Sequence, residues 1–353
     1  MTIIYFLILL SLIIVIHEAG HLAAAKKFGV YCYEFAFGMG PLIFQKQGKE
    51  TKYSIRAIPI GGYVSMAGES DGDEMYPDIE VPDERRLINK PWWQKIIIML
   101  AGVTMNFLLA WCIFSLVIFS QGGFAEPARA IVDQVVEGSP AEEAGFEPGD
   151  IIKKITKTDG SSVTPKTYID MQQFSAGYNE EEIYIVERNG EEIEIRVTPR
   201  YDEEAEAYLI GIVGPAGEVK KVNFLNCWYY GLVEMGIIAR LLFTTIAGLF
   251  HGSGLSNVSG PVGIYQATET YASLGFASFM LLVAQLSLNV GIFNLLPLPV
   301  LDGGQVVITL AEAITHKQLN QKVKLILMGA CWVVLIGFML FVTWNDISKL
   351  FAH

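Results

Sequence analysis

Ile3 to Ala25 is an apolar run long enough to cross a bilayer as a helix, and it carries His17-Glu18-Ala19-Gly20-His21 within it. Few arrangements tolerate that. On a helix, His17 and His21 stand at i and i+4 on one face, so both imidazoles reach a single Zn²⁺. Glu18 falls beside them, too close to His17 for a third ligand of the same ion but well placed to take a proton from an activated water. Three ionisable groups at membrane depth cost on the order of several kcal/mol if unpaired, and a metal occupies all three. A catalytic zinc takes three protein ligands and keeps a fourth position open. The best third candidate is Asp302, in Asn294-Leu295-Leu296-Pro297-Leu298-Pro299-Val300-Leu301-Asp302-Gly303-Gly304. That segment closes a second long apolar stretch. Its two prolines break the helix where the carboxylate emerges, and its two glycines let the backbone turn behind it.

H-E-x-x-H in a first membrane helix, paired with N-x-x-P-x-P-x-L-D-G in a later one, resembles the site-2 protease family of intramembrane zinc metalloproteases, in its bacterial RseP-like branch. The resemblance implies that His17, His21 and Asp302 hold zinc and that Glu18 is the general base. It also implies that Asn294 hydrogen-bonds the substrate backbone or the developing oxyanion, with Pro297 and Pro299 shaping the loop. A helix cap at the break is the other reading of Asn294.

Of 353 residues, 52% are hydrophobic and only 18% charged, which points to several membrane spans plus a water-soluble portion. A net charge of -12 argues against nucleic acid as a partner. Cys32, Cys112, Cys227 and Cys331 show no C-x-x-C spacing and read as small buried side chains.

The first span, residues 1–27, ends on Lys26 and Lys27, which places that end in the cytoplasm. Within residues 28–95, Tyr53 to Ile58 and Pro59 to Met66 read as short strands about a Pro/Gly break. The family carries F-G-x-G-P and I-P-x-G-G-Y here. Phe37-Gly38-Met39-Gly40-Pro41 and Ile58-Pro59-Ile60-Gly61-Gly62-Tyr63 match, implying a β-element that dips into the membrane, with Gly61, Gly62 and Tyr63 at an edge that pairs with an extended substrate. An acidic linker with Asp71, Asp73, Glu74, Asp78, Glu80, Asp83 and Glu84 follows. Basic residues and Trp92-Trp93 then mark the cytoplasmic start of a second span over 96–121. Ala101 to Phe107 resembles the family's A-G-P-x-x-N-F, with Val103 in place of proline. Asn106 reads either as an interhelix contact or as part of the active site.

Residues 122–200 are charged and alternating. Asn189-Gly190 between two alternating runs signals a hairpin, and S-P-A-x-x-A-G-x-x-x-G-D-x-I over Ser139–Ile152 resembles a bacterial PDZ domain. Such a domain either binds a peptide or protein ligand by strand addition or filters substrates by size. Residues 201–273 are expected to hold a return strand and an interfacial helix. Phe224–Phe250 is apolar enough to span, but a crossing there would carry Asp302 to the face opposite the histidines. Asn226, Glu234, Arg240, Thr244 and Thr245 also share an arc of roughly 140° at 100° per residue. Ser259-Gly260-Pro261-Val262-Gly263-Ile264 matches a further family segment ahead of the third span. That span covers 274–304, a cytoplasmic loop 305–322, a fourth span 323–345 and a tail 346–353, with His251, His316 and His353 as ordinary residues.

The expected fold is therefore an α-helical polytopic membrane protein of four transmembrane helices, a membrane-associated β-hairpin or sheet, and an inserted α+β PDZ domain outside the cytoplasm. The expected setting is the bacterial inner membrane, with the active site toward the cytoplasmic side. The resemblance implies a membrane-embedded zinc metalloendopeptidase acting on single-pass membrane proteins of the anti-sigma-factor type, or on signal-peptide remnants. A PDZ scaffold without catalysis and a metal transporter are the competing readings, and neither explains a glutamate between two ligands.

Overall fold

The computed structural model describes residues 1–69, 73, 75–175, 177–202, 207–250, 260–317 and 319–351. Asp71, Glu74, His251, Ser259 and His353 lie outside the described residues. The chain divides into two compact units, one made of residues 1–117, 228–239 and 258–353, the other of 118–227 and 240–257.

The helices are α1 (Thr2–Lys27), α2 (Trp92–Gln121), α3 (Pro140–Ala144), α4 (Tyr168–Ser175), α5 (Cys227–Phe250), α6 (Pro261–Ser273), α7 (Phe276–Asn294), α8 (Asp302–Thr315) and α9 (Gln321–Phe351). Among the described residues, five helices are long and apolar enough to cross a membrane: α1, α2, α7, α9 and the Cys227–Ile246 part of α5. The last is the segment expected to lie in the interface, and it is the least apolar of the five.

In the first unit, Gly20 lies against the Ala101 carbonyl, and His21 reaches Ile98 while His17 reaches Asn106, so α2 runs antiparallel to α1. Tyr5 stacks edge-on against Phe279 at 5.2 Å near the start of both helices, and His17 meets Asp302 beyond the end of α7. Hence α7 runs parallel to α1. At the start of α6, the buried Asp346 carboxylate of α9 accepts from the Gly260 and Gly263 amides at 2.8 and 2.9 Å. Those helix N-terminal donors have no intrahelical partner, and a carboxylate there also meets the positive end of the helix dipole.

Strands β1 (Cys32–Gln47) and β2 (Lys52–Met66) are both bent, so Phe35 is paired with Val64 on one side and Tyr53 on the other, while Gln45 pairs with Ser54. At one bend Gly38 has φ +82°, and a Cβ there would come within 2.6 Å of the Ile58 carbonyl. Only glycine fits. The inner face packs Cys32, Val64 and Met66 with Ala25, Val30, Leu87 and Ile98. Met39, Leu42, Ile43, Phe44, Ile55 and Ile58 turn outward, a patch that water penalises and lipid does not. Between the strands Glu34 is fully buried and accepts from Arg56, Tyr63 and Tyr76 at 3.0, 2.7 and 2.6 Å. Burial pushes its carboxyl up, but hydrogen bonds from Ser54, Tyr76, Tyr63 and Arg56 outweigh burial and hold it below the usual range.

The second unit is built on a sheet of β3 (Ile151–Lys157), β4 (Ser162–Val163), β5 (Glu182–Arg188) and β6 (Glu191–Val197) in the order β4-β3-β5-β6. Period-two alternation sends Tyr184 with Val186 and Ile195 with Val197 into its core, and an irregularity between Ile152 and Lys154 brings Ile152 and Ile155 to the same face. The hairpin at Asn189-Gly190 has both residues at positive φ, 55° and 85°, as a tight two-residue turn requires. Ser139 caps α3, Pro140 opens it and Gly145 ends it at φ 86°, which accounts for the S-P-A-x-x-A-G spacing. Buried Asp150 is gripped by the Arg188 fork at 2.7 and 2.8 Å.

Glu182 is fully buried in this core. Its Oε2 accepts from Tyr184 and Ser175 at 2.7 and 2.9 Å, and its Oε1 has no partner. Burial raises this carboxyl above its ordinary value, against both hydrogen bonds. A carboxyl raised in the fold contributes stability below its unfolded value, about 4.3, and that stability is lost as pH rises through the raised value. Glu182→Gln is therefore expected to raise the melting temperature of this unit by a few degrees at pH 7 and to flatten its pH dependence. Thermal unfolding at pH 5 and pH 7.5 checks this; a variant less stable at the higher pH contradicts it.

Candidate metal centre

His17 and His21 lie on one face of α1, as the i, i+4 spacing requires, and Asp302 is the first residue of α8. The turn from Leu295 to Leu301 bends the chain between α7 and α8, with Pro297 and Pro299 inside it and Asn294 at the end of α7. Gly303 and Gly304 fold tightly under that turn. A Cβ at Gly303 would come within 2.7 Å of the Leu296 carbonyl oxygen, and one at Gly304 within 2.7 Å of the Pro299 nitrogen. The fold thus brings three donor atoms together. His17 Nε2 lies 3.2 Å from Asp302 Oδ2, His21 Nε2 lies 3.5 Å from the same oxygen, and the two Nε2 atoms are 3.3 Å apart.

A tetrahedral zinc with ligands at about 2.0–2.2 Å holds its donors about 3.3–3.6 Å apart, so the triangle fits that ion. Asp302 Oδ2 is buried without a conventional hydrogen bond, its polar neighbours being the two imidazoles. His21 Nδ1 donates to the Ile98 carbonyl at 2.8 Å, which leaves Nε2 with its lone pair toward the triangle. Glu18 lies one residue from His17, outside the triangle.

Gly62 packs beside Glu18: a Cβ there would meet the Ala36 carbonyl at 2.9 Å, Ile14 Cγ2 at 3.4 Å and Glu18 Cγ at 3.6 Å. Gly61 precedes it at φ +93°, and the Tyr63 hydroxyl turns to Glu34. Thus Gly62 lies beside Glu18, while Gly61 faces Met39 and Tyr63 turns to Glu34. Asn294, Pro297 and Pro299 instead frame the turn that delivers Asp302.

Gly20 and Gly102 complete the centre, and sequence reasoning passed over both. A Cβ on Gly102 would lie 2.8 Å from the Cε1 atoms of both histidines. One on Gly20 would meet Ala101 C at 2.7 Å and Met105 Cγ at 2.8 Å. The signal was present as small residues in the H-E-A-G-H and Ala101-Gly102 segments, at the point where two helices must nearly touch. Val103, where the resembled motif has proline, is buried, and α2 runs unbroken through it.

A family model described as Peptidase family M50 matches residues 5–338. A protein of Fusobacterium nucleatum is 34% identical over 358 residues, covering 99% of this chain and 100% of its own length. The regulator of sigma-W protease RasP of Bacillus subtilis is 30% identical, covering 99% of each chain. The zinc metalloprotease RasP of Bacillus licheniformis matches to the same extent, 30% over 99% of each.

Proposed function

This chain belongs to peptidase family M50, and on that premise we propose that it is an intramembrane zinc metalloendopeptidase that cuts the transmembrane segments of single-pass membrane proteins. The observation that carries the reading is the compact triangle of His17, His21 and Asp302 beside Glu18, set where three apolar helices converge. Zinc bound there supplies a Lewis acid and lowers the pKa of a water to about 7. Glu18 would take a proton from the attacking water on its carboxylate and return it to the leaving amine. Gly62 of β2 packs beside the Glu18 side chain.

A peptide bond within a helix is shielded by its own hydrogen bonds, so the substrate has to be extended before it is cut. The edge of β2 at Gly61, Gly62 and Tyr63 is proposed to receive it, because Gly62 packs beside Glu18 and a strand edge can pair with an extended chain. The outward apolar patch of β1 and β2 favours immersion of this element in lipid. Asn294 is proposed to hydrogen-bond the bound backbone or the oxyanion.

Four crossings, by α1, α2, α7 and α9, satisfy the geometry. Since α7 runs parallel to α1 and α2 antiparallel, an even number of crossings must lie between α2 and α7. If α5 crossed, α6 would have to return, and its 13 residues span only about 20 Å of a hydrocarbon core of about 30 Å. An interfacial α5 avoids this. With Lys26 and Lys27 cytoplasmic, the metal centre lies toward the cytoplasmic side of the bacterial inner membrane, and residues 122–200 lie outside as a PDZ domain. That assignment is supported by the Ser139-capped α3 and the anchored Asp150, and the domain either filters substrates by size or binds a peptide. The name of the Bacillus subtilis relative favours anti-sigma-type substrates.

Purified protein reconstituted with a tagged single-pass anti-sigma segment tests the reading. It is expected to hold about one zinc per chain and to cut inside the membrane segment. Chelation should abolish cutting and added zinc restore it. Absence of zinc, or cutting that survives chelation, overturns the proposal.

A further inference from the structure

We propose that Asn106 is a positioning residue for His17, its side-chain oxygen accepting the Nδ1 proton so that Nε2 faces the metal with a free lone pair; this rests on the zinc reading above. Each imidazole that binds through Nε2 must carry its proton on Nδ1, and a buried N–H needs an acceptor. For His21 the acceptor is the Ile98 carbonyl. For His17 the polar group at Nδ1 is the amide of Asn106, with Nδ2 at 3.3 Å. Asn106 is 0% exposed and its Oδ1 has no partner. Oxygen and nitrogen of an amide have nearly the same shape, so the hydrogen-bond network decides which faces which neighbour.

The network decides here. If Nδ2 donates to Nδ1, the His17 proton must sit on Nε2, inside the donor triangle, 3.2 Å from Asp302 Oδ2 and 3.3 Å from His21 Nε2. That tautomer cannot bind a metal through Nε2. If the amide is turned so that Oδ1 faces His17, the proton moves to Nδ1 and the lone pair of Nε2 points at the metal. The position is fixed from a third helix, since Ser287 of α7 donates to the Asn106 carbonyl at 2.9 Å and Gly291 lies against the Phe107 ring. Asn106 is therefore pinned between α1, α2 and α7 with its amide at the back of one ligand.

The test uses the full chain in detergent, with Asn106→Asp and Asn106→Leu beside wild type and His17→Ala. Zinc affinity is read by competition with a chromogenic chelator, and folding by thermal melting. Aspartate keeps an acceptor in the same place, so Asn106→Asp is expected to bind zinc within a few fold of wild type. Asn106→Leu keeps the volume and removes the acceptor, and should bind about 10- to 100-fold more weakly, with a melting curve in the absence of added zinc like that of Asn106→Asp. Undiminished affinity in Asn106→Leu overturns the proposal and leaves Asn106 a helix contact. Equal losses in both variants overturn it too, because the oxygen is then not what matters. If wild type binds zinc no better than His17→Ala, the zinc reading itself has failed, a result separate from either of these.

Discussion

Glu18→Gln is expected to retain zinc at wild-type stoichiometry and to lose cleavage by about 10²–10⁴-fold, the usual contribution of a positioned general base. The substitution is nearly isosteric, and Glu18 is outside the triangle of His17, His21 and Asp302, so the metal donors are untouched. Position is kept while basicity is lost. Bound zinc by elemental analysis and cleavage of the single-pass segment give both readings from one preparation. Cutting at the wild-type rate would remove Glu18 from the mechanism, and loss of zinc would make it a structural partner of the ligands.

Gly102→Ala is expected to weaken zinc binding by about 10²-fold or more and to lower cleavage at least as far, although it adds a single methyl group far from Asp302 in the sequence. The new Cβ would sit 2.8 Å from Cε1 of His17 and of His21, closer than carbon atoms approach without displacement. Neither ring can yield freely, since His21 is tied to Ile98 and His17 faces Asn106. The strain must therefore appear as misplaced ligand nitrogens, and errors of about 1 Å in such geometry cost about 10²-fold. Gly236→Ala is the control, because a Cβ there meets nothing within 4 Å and alanine favours the helix. If chelator competition and thermal melting show Gly102→Ala binding zinc like this control, the helices do not pack against the ligands as described.

Local chemistry was legible without coordinates. The i, i+4 histidines, the apolar runs, the Asn189-Gly190 hairpin and the Ser139 to Gly145 helix each depend on residues within a turn or two of one another. Short-range rules act there with little competition. The apolar run of α5 was less decidable, because composition suits a crossing and an interfacial helix alike, and direction is a property of the packed bundle. Lys52–Met66 forms one long strand where the Pro/Gly break suggests two short ones, since its pairing with Cys32–Gln47 is set by a segment distant in sequence rather than by its own neighbours.

The sequence by itself determined which atoms are available: two imidazoles on one helical face, a carboxylate beside them, and an aspartate released by prolines at the end of another apolar stretch. Tertiary structure alone decided that these atoms close to a triangle of 3.2–3.5 Å, that Gly20 and Gly102 let two helices nearly touch behind it, and that Asn106 stands at the back of His17. The physical reason is range. Spacing along a helix fixes angles within one element, whereas the distance between donors on different helices depends on how closely their backbones approach, and here Gly303 and Gly304 let the start of α8 fold under its turn while Gly20 and Gly102 let α2 close behind the histidines.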